Sequence, residues 1–100
     1  MSRKLEYLEQ AVTDAEAAVR WYAERSATAA RRFSADLDAA ESAIFERPEA
    51  WLRGADGTRR YLLRRFPFSV VYRVEPSRIL IVAVAHGRRR PGYWRRRPAG

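Results

Sequence analysis

The chain combines 100 residues, 47% of them apolar, with no cysteine and a formal net charge of +8. This length supports one hydrophobic core, so we expect a single domain over residues 1–100, and the lack of cysteine excludes disulfides and thiolate metal sites and suits a reducing cytoplasm. Residues 1–10 lack the apolar segment of a signal peptide, and no run approaches the roughly 20 apolar residues that span a bilayer, so we expect a cytoplasmic protein with no membrane partner.

The N-terminal residues predict a short strand that leads into a helix. Residues 3–9 are interpreted as this first strand running into the helix. Thr13 followed by Glu16 forms a capping-box pattern, and Asp14 is placed to complement the helix dipole, so we expect the helix to begin at Thr13. Its apolar stripe consists of Ala15, Ala18, Val19 and Tyr22.

A second amphipathic helix follows a break at residues 26–28. Its apolar residues recur at three- to four-residue spacing and are Phe33, Leu37, Ala40 and Ile44. Pro48 ends the pattern because proline cannot continue a helix. Two helices joined by so short a link should pack as an antiparallel hairpin on a sheet, with Trp21, Tyr22 and Phe33 in the core.

The second half of the chain predicts three consecutive antiparallel strands after a turn at residues 54–57. These strands are Arg59 to Arg65, Ser69 to Val74 and Arg78 to His86. The last one is apolar on both faces, so we expect it to lie centrally in the sheet. The expected fold class is therefore α+β, with an N-terminal strand and a helical hairpin packed on a small antiparallel sheet that ends in a three-strand meander.

Positive charge is concentrated in the second half of the chain. Residues 1–58 hold 8 basic and 11 acidic side chains, whereas residues 59–100 hold 12 arginines and a single acid, Glu75. The basic tail, residues 87–100, contains six of these arginines and fits a solvated segment as well as a contact surface. Within the tail, Tyr93 and Trp94 follow a Pro-Gly turn, so we expect them to dock back onto the fold rather than to stack on bases.

With these elements in order, the chain resembles the RelE/ParE superfamily of toxins from type II toxin–antitoxin modules. The resemblance spans nearly the whole chain, and its strength lies in the order and spacing of the motifs. The segments that carry it are Trp21-Tyr22, Ala29 to Phe33, Pro48, Arg59-Arg60, Phe66 to Val74, His86, Arg88-Arg89 and Pro91 to Trp94. It implies a growth-inhibiting toxin with a cognate antitoxin protein that covers it, and contact with operator DNA only through the toxin–antitoxin complex.

The shared fold leaves the target open, because members of the superfamily act in different ways. RelE-like members cut messenger RNA on the ribosome, whereas ParE-like members poison DNA gyrase. The sequence of the segment Phe66 to Val74 is closer to the ParE pattern than to the RelE pattern. Ser69 lies near the position where ribosome-dependent members carry an arginine. The preferred prediction is a gyrase poison; the alternatives are a ribosome-dependent mRNA endoribonuclease and a non-toxic module that binds a partner or an operator.

Metal-free RNA cleavage would need a proton acceptor, cations for the phosphorane and a proton donor. If the protein is a ribonuclease, the candidate catalytic residues are His86, Arg59, Arg73 and Tyr93, with no metal and no cofactor. We favour the other interpretation of this single strand-end histidine, in which its ring nitrogens bond nearby backbone or meet solvent.

An acidic antitoxin segment is expected on physical grounds, because it would neutralise the basic half and cover exposed apolar surface. The residues predicted to contact the antitoxin or a nucleic acid are Arg59, Arg60, Arg73, Arg88, Arg89, Arg90, Trp94 and Arg95.

Overall fold

A computed structural model describes residues 3–98 as two helices packed on one face of a five-stranded sheet. The elements, in chain order, are β1 (Lys4–Tyr7), α1 (Glu9–Ala23), α2 (Ala27–Glu46), β2 (Leu52–Arg53), β3 (Arg59–Leu62), β4 (Phe68–Val74), β5 (Arg78–His86) and a C-terminal 3-10 helix (Tyr93–Arg96). This arrangement confirms the predicted α+β class. None of the helices within residues 3–98 has the length and hydropathy needed to cross a membrane.

The sheet has the strand order β1-β5-β4-β3-β2 and is mixed rather than antiparallel throughout. β5 lies between β4, which is antiparallel to it, and β1, which is parallel to it, so the prediction of a central last strand is confirmed. β1 runs parallel because the helices and the meander separate it from β5, whereas only a tight turn reverses the chain between β4 and β5. The two-residue edge strand β2 was not predicted.

Helix α1 begins four residues earlier than the capping-box pattern predicts, so that prediction is wrong. The first helical residue is Glu9, preceded by Leu8, whose amide donates to the carbonyl of Ile81 at 2.9 Å. The strand β1 therefore passes directly into the helix. Thr13 lies inside α1, where its hydroxyl donates to the carbonyl of Glu9 at 3.2 Å instead of capping the N-terminus.

Helix α2 starts and ends where the sequence predicts. Ser26 caps it, since its hydroxyl accepts from the amide of Ala29 at 3.1 Å. The last helical residue is Glu46, two positions before Pro48. The carbonyl of Pro48 then accepts a hydrogen bond from the hydroxyl of Tyr72 at 2.5 Å, which ties the end of the helix to β4.

The two faces of the sheet have different environments. Phe68 of β4 contacts Phe33 of α2, with ring centroids 5.1 Å apart, and Tyr72 reaches the end of the same helix. Because side chains alternate along a strand, Ser69, Val71 and Arg73 of β4 point to the opposite side. We call the first side the helix face and the second the open face.

Strand β3 ends at Leu62, three residues before the predicted end, because the chain turns towards α2. The amide of Arg65 donates to Asp36 at 3.1 Å, and the guanidinium of Arg65 adds bonds of 2.8 and 3.2 Å to the same carboxylate. Asp36 is buried, so this pair fixes the β3–β4 turn to the helix hairpin. Hydrogen bonds and the charge of Arg65 lower the pKa of Asp36 despite the opposing effect of burial.

Candidate functional site

The C-terminal tail docks onto the body of the domain through two carboxylates. Trp94 is only 8% exposed, and its indole N–H donates to Asp56 at 3.1 Å. Arg97 donates to both carboxylate oxygens of Asp14, at 2.7 and 3.0 Å, and to the carbonyl of Val82 at 3.0 Å. The predicted docking of the aromatic pair is therefore confirmed. Trp94, which was also expected among the contact residues, has its ring inside the fold and not at the surface.

A groove of about 760 Å³ opens between α1, the start of β4, the end of β5 and the tail. Apolar side chains form much of its lining, namely Ala17, Ala18, Trp21, Tyr22, Phe68 and Val84. Charged and polar side chains, His86, Arg88, Arg89 and Tyr93, line it where β5 gives way to the tail. The groove thus combines an apolar lining with a basic rim; Asp14, whose carboxylate is paired with Arg97, also lines it.

The sequence prediction for Trp21, one of the groove residues, is wrong. It was expected in the core, yet it is 51% exposed and carries the guanidinium of Arg25 at 3.6 Å over its ring. Its neighbour Tyr22 packs on Phe33 and Phe66, with ring centroids 5.5 and 4.9 Å away. Since consecutive residues lie about 100° apart around a helix, only one of the two aromatics can point into the core. The predicted apolar stripe of α1 includes Tyr22 but not Trp21, so the stripe alone identifies Tyr22 as the core residue.

His86 lies at the rim of the groove and has structural partners. Its ring packs edge-on against Phe68, with centroids 5.0 Å apart, and its Nδ1 accepts the amide of Arg88 at 3.0 Å. Tyr93 lines the same groove, with the guanidinium of Arg89 3.9 Å from its ring centroid. Burial raises the pKa of the Tyr93 hydroxyl, so this group gives up its proton less readily than a free tyrosine.

The other two candidate catalytic residues lie elsewhere. The guanidinium of Arg59 donates to the carbonyls of Glu49 and Trp51, at 3.0 and 2.9 Å, and so holds the segment after α2 in place. Arg73 projects from the open face into a separate, smaller cleft. Of the four residues proposed for RNA cleavage, the structure therefore brings together only His86 and Tyr93.

The smaller cleft has a volume of about 250 Å³ and is polar. Its lining residues are Asp56, Thr58, Arg73, Val82, Trp94, Arg95 and Arg97. The carboxylate of Asp56 accepts from both the amide and the hydroxyl of Thr58, at 3.2 and 2.6 Å, and from Trp94 and Arg95, at 3.1 and 3.3 Å. Burial alone raises the pKa of Asp56, but these four donors outweigh it and lower the pKa to about 2.

The remaining predicted contact residues occupy three different surfaces. Arg88, Arg89 and Arg90 are exposed where the tail leaves β5, and Arg95 is exposed beside Asp56. In β3, Arg59 points to the helix face. Arg60, the next residue, therefore lies on the open face, beside the cleft. Arg59 lies on the other side of the sheet. Within residues 3–98, no group of three His, Asp or Glu side chains converges to hold a metal ion.

Comparison with known proteins identifies the fold and the family. The family model described as the ParE toxin of the type II toxin–antitoxin system parDE matches residues 5–91. The chain belongs to this ParE toxin family. In sequence, it matches no protein with a curated function.

Solved structures share the fold of this ParE-family toxin. The chromosomal ParDE system from P. aeruginosa is similar with a TM-score of 0.74 and 22% identity, over 84% of this chain and 95% of that one. A mutant of the toxin RelE from E. coli in the free state gives 0.59 and 20%, over 88% and 86%. The RelBE2 toxin–antitoxin complex from Mycobacterium tuberculosis gives 0.55 and 18%, over 86% and 92%.

Proposed function

We propose that this ParE-family toxin inhibits bacterial growth by poisoning DNA gyrase and that a cognate acidic antitoxin holds it inactive. A poison acts by gripping a protein–DNA intermediate and needs no reacting group of its own. The positive charge of the twelve arginines in residues 59–100 suits such a role, because it attracts and retains a polyanion.

We favour gyrase over RNA as the target because the candidate catalytic residues lie apart from one another. Arg59 is committed to two backbone carbonyls, Arg73 lies in the open-face cleft, and His86 uses Nδ1 to accept an amide. General acid–base cleavage requires donor and acceptor within hydrogen-bond reach of one substrate position. This separation favours action by binding over RNA hydrolysis.

One observation supports a ribonuclease activity, which is therefore the second candidate function. His86 and Tyr93 both line the large groove, with Arg88 and Arg89 beside them. An RNA strand in this groove would meet one imidazole and two guanidinium groups. Because only the ribonuclease needs a proton transfer by His86, substitution of His86 separates the two candidates.

For the antitoxin, we propose the large groove as the docking site. The eight residues predicted to contact the antitoxin or a nucleic acid do not lie on one surface. The groove instead offers what an acidic amphipathic helix needs: an apolar lining for one face of the helix and arginines at the rim for its carboxylates. Trp21 at the edge of the lining is the natural anchor, since exposed tryptophans carry much of the binding energy in interfaces.

The deciding experiment runs two assays in parallel on the purified protein. One incubates it with gyrase and supercoiled plasmid and measures cleaved plasmid; the other adds it to ribosomes that are translating a defined message and maps cuts in the RNA. We expect cleaved plasmid to accumulate and the message to stay intact. Codon-register cuts without plasmid cleavage would replace the proposal by the ribonuclease, and normal growth after induced expression would replace it by a non-toxic module.

A further inference from the structure

The open-face cleft contains a buried hydrogen-bond donor without an acceptor. The Nε–H of Arg73 is buried, and no acceptor within residues 3–98 reaches it. A guanidinium stays charged at any physiological pH, and an unsatisfied donor on a charged group is costly to bury. The cleft therefore lacks one acceptor.

The acidic groups near the cleft cannot supply this acceptor. Both oxygens of Asp56 already accept bonds, from Thr58 on one side and from Trp94 and Arg95 on the other. The carboxylate of Asp14 is held by the guanidinium of Arg97, and one of its oxygens also accepts the amide of Val84. These two carboxylates therefore leave Nε without an acceptor, and an acceptor from outside the chain reaches this buried atom only if the Arg73 side chain moves towards the cleft.

The surroundings of the cleft favour an anion. Arg95 and Arg97 line this space of about 250 Å³ together with Arg73, and they are paired with the carboxylates of Asp56 and Asp14. Among the lining arginines, Arg73 is therefore the one whose charge no ion pair of the described residues offsets. Arg60 lies on the same face of the adjacent strand; its strand partner is Val71, two residues from Arg73, which makes it a diagonal neighbour. Guanidinium groups bind carboxylate and phosphate in forked geometry, so either anion fits chemically.

We propose that this cleft, centred on Arg73, binds a phosphate group of a nucleic-acid backbone. A carboxylate would arrive on a peptide, which gains affinity by burying apolar side chains, and the cleft offers only Val82 and the indole of Trp94 for that purpose. A nucleic-acid backbone gains affinity from its phosphates alone and repeats them along its length. The adjacent Arg60 provides a place for a neighbouring phosphate. This inference goes beyond the proposed function and does not depend on gyrase.

The test measures binding of a fluorescein-labelled DNA duplex to the full chain over a range of salt concentrations. Arg73→Gln removes the central donor, and Arg32→Gln removes the same charge from the exposed surface of α2, on the other side of the sheet. We expect Arg73→Gln to weaken binding about tenfold and to lower the salt slope by about one, and Arg32→Gln to change neither appreciably. Equal effects of the two substitutions would overturn the proposal.

Two further measurements keep the result interpretable if the glutamine variant folds poorly. Arg73→Lys retains the charge but loses the fork, and we expect an intermediate affinity. In the unaltered protein, the ¹⁵N–¹H resonance of Arg73 Nε should shift when inorganic phosphate is added, and an unmoved resonance contradicts the site. Loss of affinity for an acidic antitoxin peptide with unchanged DNA binding would assign the cleft to a carboxylate instead. Gyrase assays on the same samples separate this inference from the proposed function, because DNA binding by the free protein is measured without gyrase.

Discussion

Arg97 binds both carboxylate oxygens of Asp14, 83 positions earlier in the chain, and thereby fastens the tail to the first helix. Each side chain is less than one-fifth exposed. Asp14 also accepts the amide of Val84, and Arg97 also donates to the carbonyl of Val82. The pair therefore satisfies two backbone groups of β5 beyond the end of its pairing with β1.

The substitution Asp14→Ala should destabilise the domain by about 1–3 kcal/mol, since it leaves Arg97 and the amide of Val84 without their acceptor. Urea denaturation followed by circular dichroism measures this loss. The control is Arg96→Gln, which alters an exposed arginine next to Arg97. A loss no larger than that of the control would show that the tail does not depend on the pair.

Acid should weaken the attachment of the tail at Asp56. Its pKa is lowered to about 2 in the folded state from an ordinary value of 3.8, so its stabilising effect is complete above about pH 4 and disappears as the pH falls towards 2. The shift corresponds to about 2 kcal/mol. Asp36, whose pKa Arg65 also lowers, acts in the same direction.

The readout is therefore the difference between the unaltered protein and Asp56→Asn. The free energy of unfolding should differ by about 2 kcal/mol at pH 6 and converge near pH 2, whereas Glu49→Gln, at an exposed position, should follow the unaltered protein throughout. If the difference in free energy of unfolding between Asp56→Asn and the unaltered protein stays the same at every pH, ionised Asp56 is not what stabilises the fold.

Trp21→Ala should weaken antitoxin binding by tenfold or more while leaving the fold intact, because the ring is half exposed and lines the groove. Isothermal titration with the cognate antitoxin measures the affinity. Phe45→Ala is the matched control, since Phe45 is an equally exposed aromatic that does not line the groove. If both variants bind like the unaltered toxin, the antitoxin lies elsewhere.

His86→Ala should leave growth arrest and gyrase-dependent plasmid cleavage within about threefold of the unaltered toxin, because a poison transfers no proton. It should lower the melting temperature by a few degrees, since the contact with Phe68 and the bond from the Arg88 amide are lost. Induced expression and a thermal scan test both statements. Abolished toxicity in a normally folded variant would point to a ribonuclease.

Local patterns in the sequence were enough for most of the fold. The three- to four-residue spacing of apolar side chains in α2, the alternation in β4 and the continuous apolar run of β5 depend on neighbours within a few positions. The capping-box pattern at Thr13 failed because the chain passes from β1 into α1 without a break, and a continuous helix made that pattern irrelevant.

The sequence alone determined the order of the elements, the segregation of charge into the second half and the resemblance to the RelE/ParE superfamily. Tertiary structure decided which charged and aromatic side chains are exposed and free to contact a partner. Arg59 and Arg60 are adjacent in sequence, yet the pleat of β3 sends the first to backbone carbonyls and leaves the second on the open face. Trp21 is exposed near the end of α1, where Arg25 of the following turn lies over its ring, whereas the indole of buried Trp94 reaches Asp56, 38 positions earlier in a turn. Contacts across such separations depend on how the elements pack, and no local pattern of residues encodes that packing.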